Sequence, residues 1–183
     1  MRHARGGLAG VLLALLARWA EAHPSDEVVQ GAYLTLAPGE VRLELDLTPG
    51  IEVAGALLQA LDADADRAIT EAEAEGYAER VLARSTLTLD DVAMSWVLGE
   101  VNVPPYRSLE LGGGTVSIHA VAQHPDGAGA HVLSYRNDHQ PAASRRTANV
   151  FLQPGEGWRY RVTGQRRSDD GRQLTVTYTV ARR

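Results

Sequence analysis

Residues 62–73 read Asp-Ala-Asp-Ala-Asp-Arg-Ala-Ile-Thr-Glu-Ala-Glu. Oxygen side chains fall at positions 1, 3, 5, 9 and 12 of a twelve-residue segment, the ligand spacing of an EF-hand calcium loop. A hard divalent cation prefers six to eight oxygens. Asp62, Asp64 and Asp66 would supply carboxylates from alternate positions, Ala68 its backbone carbonyl, and Thr70 its hydroxyl directly or through water. Glu73 would close the sphere with both carboxylate oxygens. The expected cofactor is therefore Ca²⁺. Mg²⁺ suits the segment less well, because it keeps more of its own water.

Two details predict weak binding. Position 6, where a glycine normally makes the sharp turn, is Arg67. A non-glycine residue there costs on the order of 1 kcal/mol, and its charge opposes the cation. The loop also has no second copy, so Ile69 at position 8 needs another apolar partner. An affinity in the range of extracellular modules, about 10⁻⁴ to 10⁻³ M, is expected.

The histidines offer a different chemistry. If the chain is processed after Ala22, His23 becomes the first residue and presents an imidazole beside a free amine, a pair that suits copper or nickel. His119, His124, His131 and His139 are further nitrogen donors, but no local spacing groups them. Arg145-Arg146 and Arg166-Arg167 are basic pairs that would hold carboxylates or stand in solvent. Neither Gly-x-Ser-x-Gly nor His-Glu-x-x-His occurs, and the densest run of carboxylates is the aspartate segment, where the cation would occupy them. The expectation is a protein that is not an enzyme.

The elements around the segment must position it. Val41 to Leu47 alternates apolar and polar residues, as a half-buried strand does, and Val28 to Leu36 reads as its hairpin partner across Ala37-Pro38-Gly39-Glu40. The period then changes. Thr48 as cap, Pro49 as first residue, and Ile51, Ala54, Leu57, Leu58 and Leu61 predict a helix that runs into Asp62. A second helix is predicted over Thr70 to Arg84, with Ala74, Tyr77, Ala78, Val81 and Leu82 as its apolar stripe. Short strands follow at Leu87–Leu89, Ala93–Val103, Thr115–Ala122, His131–Tyr135 and Ala148–Leu152. A last hairpin pairs the Trp158, Tyr160, Val162 face with Leu174, Val176, Tyr178 and Val180 across Asp170-Gly171. The fold class is mainly β: an Ig-like or related antiparallel β-sandwich, with a helix–loop–helix inserted at about residues 49–84.

Arg2 and Arg5, the apolar run Leu8 to Leu16, and Ala20-Glu21-Ala22 have the pattern of an export signal over residues 1–22. The run is shorter than the roughly 20 residues that span a bilayer. Residues 23–183 then form one domain, periplasmic or secreted, with no transmembrane span. The removed piece carries three arginines and one glutamate, so the chain's net charge of −5 becomes −7. That disfavours nucleic acid as a partner. With no cysteine, stability must rest on the core, or on core plus metal.

The Ala22-His23-Pro24 processing site, the hairpin, the Leu61-to-Asp66 aspartate run with Ile69-Thr70 and Glu73, and the β-region after it together resemble the extracytoplasmic N-terminal region of HupE/UreJ-type bacterial membrane proteins. That family is associated with nickel or cobalt uptake. Its membrane bundle has no counterpart here, so the resemblance implies an accessory or sensing module and not a transporter, with a membrane or other extracytoplasmic protein as partner. The first expectation is an exported calcium-binding β-domain with a structural or protein-interaction role. The alternative is an accessory protein that handles nickel, cobalt or copper through His23 and other histidines.

Overall fold

A computed structural model describes residues 25–125 and 127–182. The export segment and His23 lie outside the described residues. Two five-stranded sheets pack face to face. The first runs in the order β5-β6-β2-β1-β8 and the second in the order β4-β3-β7-β10-β9. The chain forms them in sequence as β1 (Val28–Ala37), β2 (Glu40–Pro49), α1 (Ala54–Leu61), α2 (Glu71–Leu82), β3 (Ser85–Leu89), β4 (Val92–Met94), β5 (Val97–Asn102), α3 (Tyr106–Glu110), β6 (Val116–Gln123), β7 (Gly129–Asn137), β8 (Ser144–Leu152), β9 (Trp158–Arg167) and β10 (Gln173–Arg182).

Period-two alternation builds the core. Leu34, Leu36, Leu43, Leu45, Leu47, Val116 and Ile118 point inward from the first sheet and are essentially sealed from solvent. Leu87, Leu133, Tyr135, Leu174, Val176 and Tyr178 meet them from the second. The sandwich and the inserted helix pair are as expected. One pairing differs from the expected antiparallel pattern: β8 lies parallel to β1, with Val28 opposite Ser144 and Leu36 opposite Leu152. The chain leaves the second sheet after β7 and returns to the far edge of the first. A strand that arrives by crossing between sheets has no hairpin to impose the antiparallel direction.

Three boundaries move for physical reasons. Thr48 and Pro49, read as a helix start, stay in β2. Pro49 pairs with Val28, and the Thr48 hydroxyl bonds that of Thr115 at 2.8 Å. Helix α1 begins at Ala54 without a side-chain cap, and Ile51 is exposed. The single strand expected over Ala93–Val103 is two strands in different sheets, because the chain turns at Ser95-Trp96. There the Trp96 indole donates to the Ser85 carbonyl at 3.0 Å and its ring meets Tyr135 edge-on. Helix α3 is five residues long, too short for a 3.6-residue period to register. No helix among the described residues is long and apolar enough to cross a membrane.

Candidate metal centre

Two helices hold the aspartate segment from either side. Leu57, Leu58 and Leu61 bury the inner face of α1, and the Asp62 amide ends that helix on the Leu58 carbonyl. On the far side Thr70 caps α2. Its hydroxyl accepts from the Glu73 amide, and the Glu73 carboxylate accepts from the Thr70 amide at 2.9 Å, a reciprocal capping box. Ala74, Tyr77, Ala78, Val81 and Leu82 bury α2 along the stripe read from the sequence. Helix α2 touches β5 of one sheet and β3 of the other, so the loop is fixed to the seam of the sandwich.

Between these anchors the chain turns back on itself. Asp62 accepts from the Asp66 amide at 3.2 Å and the Arg67 amide at 3.0 Å. Asp64 accepts from the Asp66 amide at 3.2 Å, and Asp66 from the Ala68 amide at 2.8 Å. These bonds satisfy amides that a tight turn would leave unpaired, and they aim the carboxylates inward. One oxygen from each of Asp62, Asp64 and Asp66 lies within 4.8 Å of the others. Asp62 is buried, and Asp64 and Asp66 are exposed.

The charges are uncompensated. None of the three aspartates forms an ion pair among the described residues. The Asp66 amide pulls the Asp64 carboxyl down, but desolvation and the charges of Asp66, Glu73 and Asp62 outweigh it and hold the group above its ordinary value. Arg67 does not neutralise the trio. Its backbone takes the left-handed conformation, φ 67°, that glycine normally supplies. Its guanidinium turns away to Glu110 at 2.7 Å and lies over the Tyr106 ring at 5.5 Å. Arg107 holds the other Glu110 oxygen at 2.6 Å.

Glu73 stands apart from the trio. One of its oxygens accepts from the Ala63 amide at 2.8 Å. The other takes the Thr70 amide and hydroxyl. The Thr70 amide, the Thr70 hydroxyl and the Ala63 amide together hold its carboxyl below the usual range. The carboxylate thus ties the two ends of the loop together, and its four lone-pair sites leave capacity for a cation. Ile69 finds its apolar partner in the sandwich, in a cleft with Val101 and Val103.

Among the described residues the histidines do not converge. His119 stands on β6, and His124 follows that strand with its Nδ1 2.9 Å from the Pro125 carbonyl. His131 Nδ1 lies 2.7 Å from Asp90. His139 is half-buried, with Nε2 2.9 Å from the Tyr77 hydroxyl. Burial first, then the charges of Arg146, Arg84 and Arg80, push its pKa down to about 4. The basic pairs serve the fold: Arg145 meets Glu27 at 3.1 Å, Arg146 is buried against the His139 carbonyl, and Arg167 donates to the Ala148 carbonyl.

The sequence reading missed two parts of this arrangement. Thr70-x-x-Glu73 is a capping-box signature, which ties the two residues reciprocally at the start of α2. The brace of Arg67, Tyr106 and Glu110 joins residues about 40 apart and left no local signal. Comparison with known proteins finds no protein family and no curated protein that matches this chain.

Proposed function

We propose that this is an exported calcium-binding β-domain in which the cation orders the helix–loop–helix against the sandwich. The observation that carries the reading is the trio of aspartate carboxylates, gathered within 4.8 Å and lacking any cationic partner among the described residues. The donor set fits the ion, since it offers hard oxygens without nitrogen or sulfur. Asp62, Asp64 and Asp66 would hold Ca²⁺, with the Ala68 carbonyl, Thr70 and Glu73 completing the set. Bound calcium supplies positive charge that relieves the repulsion among the carboxylates. The chain's own residues do the rest: the amide bonds to Asp62 and Asp66 keep the turn closed, Arg67 keeps its charge on Glu110, and Glu73 links the loop to α2. The role proposed is structural or protein-interaction, as an accessory module in the periplasm or outside the cell. The resemblance to the outer region of HupE/UreJ-type proteins supports that setting. Among the described residues no grouping of histidines favours the nickel, cobalt or copper reading.

Calorimetric titration of the chain from His23 with Ca²⁺, and separately with Mg²⁺, tests this. Calcium binding at about 10⁻⁴ to 10⁻³ M, lost in Asp64→Asn, is expected. Ni²⁺ or Cu²⁺ binding tighter than calcium, with Asp64→Asn without effect, would overturn it.

A further inference from the structure

The outer face of the first sheet carries a groove of about 530 Å³ lined by Tyr33, Arg42, Glu44, Asp46, His119 and Phe151. Tyr33 is placed in it in an unusual way. A Cβ at Gly31 would lie 3.1 to 3.3 Å from the Tyr33 hydroxyl and ring, so the ring lies back along its own strand over the bare glycine. Any side chain at position 31 would lift it. The ring is half-buried, and Phe151 sits beside it with centroids 6.4 Å apart and planes tilted by 36°. The result is a broad apolar strip and not a cage.

Carboxylates border the strip. Glu44 stands directly across from Tyr33 on β2, and Asp46 across from Gly31. Asp46 takes a bond from Ser117 at 2.6 Å, whereas Glu44 makes no hydrogen bond or ion pair among the described residues. Arg42 does not fill the groove's charge, because Glu40 holds its guanidinium at 2.8 Å. The groove therefore combines a flat π-surface with net negative charge.

We propose that this groove docks an arginine side chain presented by an extended segment of a partner protein. A guanidinium is planar and stacks on an aromatic face while its N–H fork meets a carboxylate, which a lysine ammonium does not do. The chain already sets arginine over Tyr106, Tyr77 and Trp158, with centroid distances of 5.5, 5.9 and 4.9 Å, and at Tyr106 the same guanidinium also meets a carboxylate, that of Glu110. Tyr33 is a half-exposed ring, set beside a carboxylate without a partner among the described residues, and no arginine among those residues is stacked on it. The groove is larger than one guanidinium requires, which leaves room for the flanking backbone.

Titration of ¹⁵N-labelled protein from His23 with the peptide acetyl-Gly-Arg-Gly-amide tests this, with the neutral citrulline peptide and maltotriose as comparisons. The arginine peptide should shift amides of β1, β2 and β6 and saturate in the millimolar range, on the order of 1 mM. The citrulline peptide should bind at least about tenfold more weakly, and Glu44→Gln should weaken the arginine peptide about fivefold or more. Glu44 is exposed, so this variant should keep the native melting temperature. Tyr33→Ala serves as a second variant. Equal binding of the citrulline peptide, preferential binding of maltotriose, or no shifts with about 20 mM arginine peptide would each overturn the proposal.

Discussion

Arg67 is the residue on which the strength of the proposed calcium site should depend most. It occupies a left-handed position that costs an L-residue on the order of 1 kcal/mol, and the Glu110 and Tyr106 contacts offset part of that. Arg67→Gly should relieve the strain and remove a positive charge beside the trio. Calorimetry should show calcium affinity rising several-fold while stability without metal changes by less than about 1 kcal/mol. Glu73 has a double role. Glu73→Ala should abolish calcium binding and also lower stability without metal, through the lost capping box. Thr70→Ala should reproduce the stability loss with a much smaller effect on the metal, and urea melts of both variants with and without calcium separate the two roles. Asp64 takes up its proton at a higher pH than an ordinary aspartate, so calcium affinity should already fall as pH drops toward the ordinary carboxylate range. The gathering of the three aspartates was legible in the sequence because they lie within five consecutive residues. The orientation of Arg67 was not, since it depends on a helix about 40 residues away.

At the scale of elements, α2 is the lever between the loop and the sandwich. Its buried face includes Tyr77, whose hydroxyl meets His139. The pKa of His139 is depressed in the fold, so the unfolded chain binds a proton first as pH falls. The stability linked to this group is complete above about pH 6.5 and is lost toward about pH 4. After allowance for solvent screening, the loss should be on the order of 1–2 kcal/mol. In His139→Asn, urea melts at pH 7 and pH 4.5 should differ by that much less than in the parent chain. Helix α2 was readable because its twelve residues carry a regular apolar stripe. The start of α1 was misplaced because Thr48-Pro49 satisfies the cap rules locally, while cross-strand bonds to β1 and Thr115 hold the pair in the sheet.

Across the whole molecule, strict alternation made both hairpins and the sandwich legible, because each strand buries one face. The parallel β1–β8 pairing and the division of residues 93–103 between two sheets were not legible. They depend on which sheet a strand joins, and that leaves no mark on a strand's own period. Stability should follow the shared core and its corners. Leu45→Ala, in the sealed interior, should cost about 2–5 kcal/mol in urea denaturation. Gly171→Ala should be comparably severe, because its φ is 68° and a Cβ would fall 2.2 Å from the Arg146 carbonyl oxygen. If calcium completes this fold at the aspartate loop, the melting temperature of the chain from His23 should climb as calcium rises. With a dissociation constant between 10⁻⁴ and 10⁻³ M, about 10 mM calcium should raise the midpoint by roughly 3–10 °C, and Asp64→Asn should abolish the rise. An unchanged midpoint, or an equal rise in the variant, would contradict the account.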